Sequence, residues 1–142
     1  MRDIATKALE PFRDGSGSRF QIEGENVRLG PKAALALAMS LHELATNATK
    51  YGALTNEIGR IRIAWNTDAG RLHLRWEERG GPPVAAPGRR GFGSRLIERS
   101  LAAELGGEVK VHYAPEGLVC MIDAPLARIA SETRLPDGQE AA

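Results

Sequence analysis

An α/β two-layer sandwich, with a mixed, mainly antiparallel sheet covered on one face by helices, is the fold class that three observations predict. Two segments with strict apolar/polar alternation flank a short turn. A strongly amphipathic helix precedes them, and a second helix is followed by two further alternating segments. Strands and helices do not alternate regularly, which excludes a doubly wound parallel sheet. A chain of 142 residues suits one domain with a sizeable core, and 42% hydrophobic with 26% charged residues is a globular composition. The net charge of +1 leaves no bulk electrostatic case for nucleic acid.

Taken in order, Ile4 to Phe12 reads as a short helix that ends in the Gly15-Ser16-Gly17-Ser18 run. Phe20 and Ile22 alternate with polar neighbours, and Val27 to Leu29 follows a turn, so a small hairpin is expected there. Pro31 suits a first helical position, and the helix it opens runs through Lys50 to Gly52, a residue type that ends helices. Ile61, Ile63 and Trp65 share one face of a strand, as do Leu72, Leu74 and Trp76 of the next, with a turn over 66–70. Arg60, Arg62, Arg71 and Arg75 then form the solvated face of this pair. A loop rich in Gly and Pro spans 80–91, and a helix over Ser94 to Leu105 is closed by Gly106-Gly107. Val109, Val111 and Tyr113 mark another strand and Leu118 to Asp123 the last. The domain is placed at 1–127, and 128–142 is read as a polar, flexible tail.

No apolar run approaches the roughly 20 residues that span a bilayer, and residues 1–10 lack the apolar core of a signal peptide, so a cytoplasmic address without membrane contact is expected. The single cysteine, Cys120, lies among apolar residues and reads as a small core side chain.

Chemistry concentrates on the long helix. At about 100° per residue, Leu37, Leu41, Leu44 and Ala48 fall within about 60° of one another as a core stripe. Glu43, Asn47 and Lys50 form a polar row about 120° away, with Tyr51 between the two. On the helix alone such a row is as readily an ordinary solvated face as a site. Gly91-Phe92-Gly93 at the start of the next helix adds a second element, because free N–H groups and partial positive charge at a helix N-terminus favour phosphate. Together the two make a coherent polyphosphate and Mg²⁺ site, in which Asn47 supplies an oxygen and phosphates share the metal.

Three ordered motifs resemble the catalytic, ATP-binding domain of the HWE class of bacterial sensor histidine kinases, which has the Bergerat (GHKL) fold. His42-Glu43-Leu44-Ala45-Thr46-Asn47-Ala48-Thr49-Lys50-Tyr51-Gly52-Ala53-Leu54 resembles the N box. Trp76-Glu77-Glu78-Arg79-Gly80-Gly81-Pro82 resembles the G1 box, and Gly91-Phe92-Gly93-Ser94-Arg95-Leu96-Ile97 the G2 box. The resemblance spans roughly Leu9 to Leu126. It implies ATP and Mg²⁺ as ligands, and Glu43 as the acid that orients or deprotonates the attacking group. It further implies Asn47 on Mg²⁺, Lys50 on phosphate and Tyr51 against the adenine. Glu78 stands where most of the family has an aspartate that accepts the adenine amino group. Gly80, Gly91, Phe92, Gly93 and Leu96 would line the nucleotide beneath a short lid.

The histidines depart from the full family pattern. His42 is off the polar row and suits packing at least as well as catalysis, while His73 and His112 alternate with apolar neighbours and read as solvated. None stands in a phosphoacceptor motif. The chain is therefore expected to hold the catalytic half alone, cut from a longer protein at Met1. Its partners would be a separate dimerisation and phosphoacceptor domain and a downstream response regulator. Two other functions compete with this reading. A nucleotide-dependent regulatory or partner-binding module would not need both Glu43 and Asn47. An ATPase of the gyrase or mismatch-repair type would need a longer lid and a further domain.

Overall fold

The computed structural model describes residues 1–12, 19–56, 58–81, 99 and 101–131. Its strands are β1 Phe20–Gly24, β2 Arg60–Asp68, β3 Arg71–Arg79, β4 Glu108–Ala114 and β5 Gly117–Pro125. They form one sheet in the order β1-β2-β3-β5-β4. Helices α1 Arg2–Leu9 and α2 Pro31–Tyr51, a helical stretch α3 over 101–105, and α4 Leu126–Ser131 complete the described elements, with single 3₁₀ turns at Glu10–Phe12 and Ala53–Thr55.

Three of the four strand pairings are antiparallel, and the fourth, β1 with β2, is parallel. Register lines up Ile63, Trp76 and Cys120 across the sheet, and beside them Trp65, Leu74 and Ile122. All six are buried, and with Leu37, Leu41, Leu44 and Ala48 of α2 they form the core, so the predicted stripe and the predicted strand faces meet. Cys120 is fully buried, as expected of a core residue. The fold is the expected α/β sandwich with a mixed, mainly antiparallel sheet.

Two expectations about layout need correction. No hairpin joins 20–22 to 27–29: Phe20 pairs with Ile61 and Gly24 with Trp65, and the chain leaves β1 through α2 before it returns as β2. Val27 is buried outside any strand, and the Glu25 carbonyl accepts from Trp65 Nε1 at 2.6 Å. Period-two spacing marks a strand without naming its partner, and here a parallel partner 41 residues on wins. The second correction concerns the C-terminal side. Residues past 127 are not all tail, since α4 sinks Ile129 fully into the core and the Ile129 carbonyl accepts from Gly30 N at 2.9 Å. The turn at 66–70 is also tighter than expected: β2 runs to Asp68, and Ala69 and Gly70 make a two-residue turn with φ of 52° and 78°, the sense that matches strand twist.

The outer face of the sheet is polar, and several of its charges are paired. Arg62 meets Glu23, Arg71 meets Asp123, and His73 Nδ1 lies 3.1 Å from Asp123 Oδ2, so His73 has a specific partner and is not simply solvated. His112 is exposed, as expected. Glu77 is nearly buried between Arg75 and Arg79. The Arg79 hydrogen bond holds its carboxyl below the usual range against the opposing effect of burial, with Arg75 assisting. A lowered folded-state pKa means stability present above the unfolded value and lost as pH falls through the folded one. Glu77→Gln should therefore lower the melting temperature at pH 7, with the gap to wild type closing as pH drops below about 4.5. Thermal unfolding at several pH values checks this, and a gap that stays constant to pH 3 contradicts it.

Candidate functional site

The site forms where the C-terminal end of α2 meets the end of β3. Helix α2 keeps Glu43, Asn47 and Lys50 in one row over its last turns, with Glu43 and Asn47 half-buried and Lys50 exposed. Tyr51 ends the helix at 67% exposure. Gly52 caps the helix, its N–H bonding Ala48 O at 3.0 Å, and the chain turns into the 3₁₀ segment that begins at Ala53.

Across this corner stands Glu78, 4% exposed, at the inner face of β3. Its Oε1 accepts from Ala53 N at 3.1 Å and its Oε2 from Trp76 Nε1 at 2.9 Å. Burial raises its pKa above the ordinary value, and these two hydrogen bonds work in the opposite direction. A Cβ at position 52 would run into Glu78 Oε1, so glycine is what lets the helix end approach the carboxylate. Each carboxylate oxygen keeps one further lone pair, which fits an incoming N–H donor in a dry setting. Glu43, Asn47, Lys50 and Tyr51 share one helix, and Ala53, just past its end, bonds Glu78.

Gly80 follows at φ +80°, a left-handed conformation that disfavours any side chain, with its would-be Cβ pressed on the Ile58 carbonyl. Gly91, Phe92, Gly93 and Leu96, the lid and the start of the helix expected from Ser94 lie outside the described residues. That helix is seen over 101–105, with Leu101 and Leu105 buried. Among the described residues no cluster of three His, Cys, Asp or Glu stands ready for a metal.

Two residues that shape the corner escaped sequence reasoning. The Asn56 side chain accepts from Ile58 N and Gly59 N at 3.1 and 2.8 Å and donates to the Gly80 carbonyl at 3.3 Å. The Arg19 guanidinium gathers the carbonyls of Gly59, Ala53 and Asn56. Together they fix the loop that presents Ala53 to Glu78. Asn before a turn was a usable signal, whereas an arginine acting on backbone carbonyls 34 to 40 positions away left none. His42 is exposed and meets Phe12 edge to face at 5.1 Å, a packing contact.

Comparison with known proteins gives a consistent picture. No protein-family model matches the chain. Blue-light-activated histidine kinases of Brucella anthropi and Brucella abortus are similar, at 40% identity over 127 residues and 41% over 130, or 87% and 89% of this chain. The chain spans about a quarter of their length, 26% and 27%. Among solved structures it resembles the histidine kinase domain of an Erythrobacter litoralis blue-light activated histidine kinase. The TM-score there is 0.69 at 23% identity, over 92% of this chain and 61% of that one. It also resembles the catalytic domain of the histidine kinase ThkA, with TM-score 0.65 at 18% identity, over 88% and 92%. ThkA has further been solved in complex with the response regulator TrrA, a structure similar at TM-score 0.64 and 17% identity over 93% and 41%. No helix among the described residues is long and apolar enough to cross a membrane.

Proposed function

The chain belongs to the histidine kinase family, and from that membership we propose that it is the ATP-binding catalytic domain of a two-component sensor kinase of the HWE class. It would pass the γ-phosphoryl of ATP to a histidine on a separate dimerisation domain of the same kinase, with a response regulator downstream and a cytoplasmic setting. The observation that carries the reading is the row Glu43, Asn47, Lys50 running down α2 to a helix end that touches a buried Glu78. One end of this line suits a base and the other a reacting phosphate.

Glu78 accepts the amino group of adenine with its remaining lone pairs, and Tyr51 lies against the ring. Lys50 binds phosphate oxygens as a mobile point charge. Gly80, with Gly91, Phe92, Gly93 and Leu96, lets the backbone approach the nucleotide. Mg²⁺ would be held by the Asn47 amide oxygen and phosphate oxygens, where it neutralises charge on the transferring group. Glu43, one turn before Asn47, sits towards the γ-phosphate and orients the incoming imidazole, keeping its attacking nitrogen free of a proton.

Asn47→Ala tests the assignment. The residue lies outside the core stripe, so the variant should fold, and its nucleotide binding should lose its dependence on Mg²⁺. Unchanged Mg·ATP binding by titration calorimetry contradicts the metal role. A second expectation concerns the base. Guanine offers a carbonyl where adenine offers an amino donor, and a buried acceptor left facing an acceptor costs about 1–3 kcal/mol. GTP should therefore bind roughly tenfold or more weakly than ATP, and equal competition by the two in a displacement assay refutes the role of Glu78.

A further inference from the structure

A buried carboxylate discriminates between ligands only while its oxygens stay ionised and in place. At Glu78 burial raises the pKa, and the donors on the two oxygens, Trp76 Nε1 and Ala53 N, act against that rise. The Ala53 N–H belongs to the same peptide group as the Gly52 carbonyl, and that carbonyl is doubly engaged. It accepts from Thr55 N at 3.0 Å and from Thr55 Oγ1 at 2.7 Å. Bonds accepted by an amide oxygen polarise the group and strengthen what its N–H donates, by about 10–30% per bond. Thr55 thus acts on Glu78 through one peptide group, although Thr55 itself is exposed.

Arg19 holds the rest of the loop. Its Nε donates to the Gly59 carbonyl at 3.1 Å, and its Nη2 to the Ala53 carbonyl at 2.9 Å and to that of Asn56. Its own carbonyl accepts from Ile61 N at 2.9 Å, which ties it to the start of β2. Among the described residues Arg19 makes no ion pair, so its guanidinium serves backbone carbonyls. A Cβ at Gly59 would run into the Ala53 carbonyl and one at Gly81 into Ala53 Cα. The backbone therefore closes tightly on Ala53, which is 1% exposed.

We propose that Thr55 and Arg19 are positioning residues for recognition of the adenine amino group, acting on Glu78 through the Gly52–Ala53 peptide. The inference rests on the reading of Glu78 as the adenine acceptor. Thr55 sets how strongly the Ala53 N–H binds Oε1, and Arg19 keeps that N–H where it is. Without this hold the buried carboxyl takes up a proton more easily, and a protonated carboxyl donates, which suits a purine carbonyl at the same place. The choice between amino and carbonyl purines is thus governed by two side chains that do not touch the base.

The test compares ATP with purine riboside triphosphate, which has a hydrogen where adenine has its amino group, by titration calorimetry with Mg²⁺. Wild type should bind ATP about tenfold or more tightly than the analogue, the worth of one hydrogen bond to a charged acceptor. Thr55→Val removes the hydroxyl at nearly constant shape. We expect it to shrink the ATP preference about two- to fourfold, with analogue affinity and melting temperature unchanged. Thr55→Ser keeps the hydroxyl and should keep the preference. Arg19→Met keeps the long stem without the donors and should shrink the preference further. Thr55→Val, at an exposed position, decides the matter even where Arg19→Met does not fold. An ATP preference that Thr55→Val leaves intact overturns the proposal alone, as does a Thr55→Ser variant that behaves like Thr55→Val. Equal losses for ATP and the analogue also overturn it, since the loop would then shape the pocket as a whole. A wild-type chain that binds the two alike overturns the role of Glu78 and this proposal together.

Discussion

Glu43→Ala should lower phosphoryl transfer to an acceptor histidine by about 10²–10⁴-fold, the range a positioned acid–base group supplies, while ATP affinity changes little. The half-buried carboxylate lies outside the core stripe of α2, and it sits two turns of helix from Tyr51 and the Glu78 corner. On the proposed reading, the nucleobase is recognised at one end of the row and the proton handled at the other. Loss of Glu43 should appear in kcat for the acceptor and leave nucleotide titrations alone. The acceptor must be supplied, because His42, His73 and His112 are respectively packed on Phe12, paired with Asp123 and exposed on β4. Incubated with γ-labelled ATP by itself, the chain should stay unlabelled. Stoichiometric self-labelling on any of the three would contradict the catalytic-domain reading, and a Glu43→Ala variant that transfers at the wild-type rate would remove that residue from the mechanism.

The largest stability effect is expected at Trp76, the biggest fully buried side chain. Trp76→Ala should cost about 3–5 kcal/mol, a large share of the roughly 5–15 kcal/mol available to a domain. Cavity formation is only part of the loss. Trp76 Nε1 is also one of the two donors on the buried Glu78 carboxylate, so the variant leaves Oε2 without that partner in a dry site. Trp76→Phe shifts the balance between the two contributions, since it keeps most of the volume and removes the N–H entirely. It should cost about 1.5–3 kcal/mol, the range of a hydrogen bond to a charged group, and weaken ATP binding by letting the carboxylate drift from its place. Urea unfolding of the three proteins at pH 7 measures both steps. If Trp76→Phe is as stable as wild type and binds ATP equally well, the indole–Glu78 bond does not position the base acceptor.

Much of this fold could be read from local pattern. Ile61, Ile63 and Trp65 against Leu72, Leu74 and Trp76 gave β2 and β3 with the correct inner face, and Leu37, Leu41, Leu44 and Ala48 gave the core stripe of α2. Those signals are periodic, and period is a local property. What escaped was non-local. Nothing in Phe20-Gln21-Ile22 names a parallel partner beyond a 21-residue helix. Ile129 lies just ahead of a polar stretch and declares its burial only once the sheet exists to cover it. The site divided in the same way. Residues on one helix kept their sequence spacing, so the row from Glu43 to Lys50 was legible. Burial of Glu78, its upward-shifted pKa and its tie to Ala53 depend on a strand and a helix end meeting 25 residues apart.

Two segments far apart in sequence meet just ahead of α2. Met1 is fastened to Val27, and Ile129 to Gly30, two positions three residues apart. Mechanically, these two hydrogen bonds clamp the start of α2 between segments that flank the sheet, so the helix that carries Glu43 is braced at its N-terminal end from two sides.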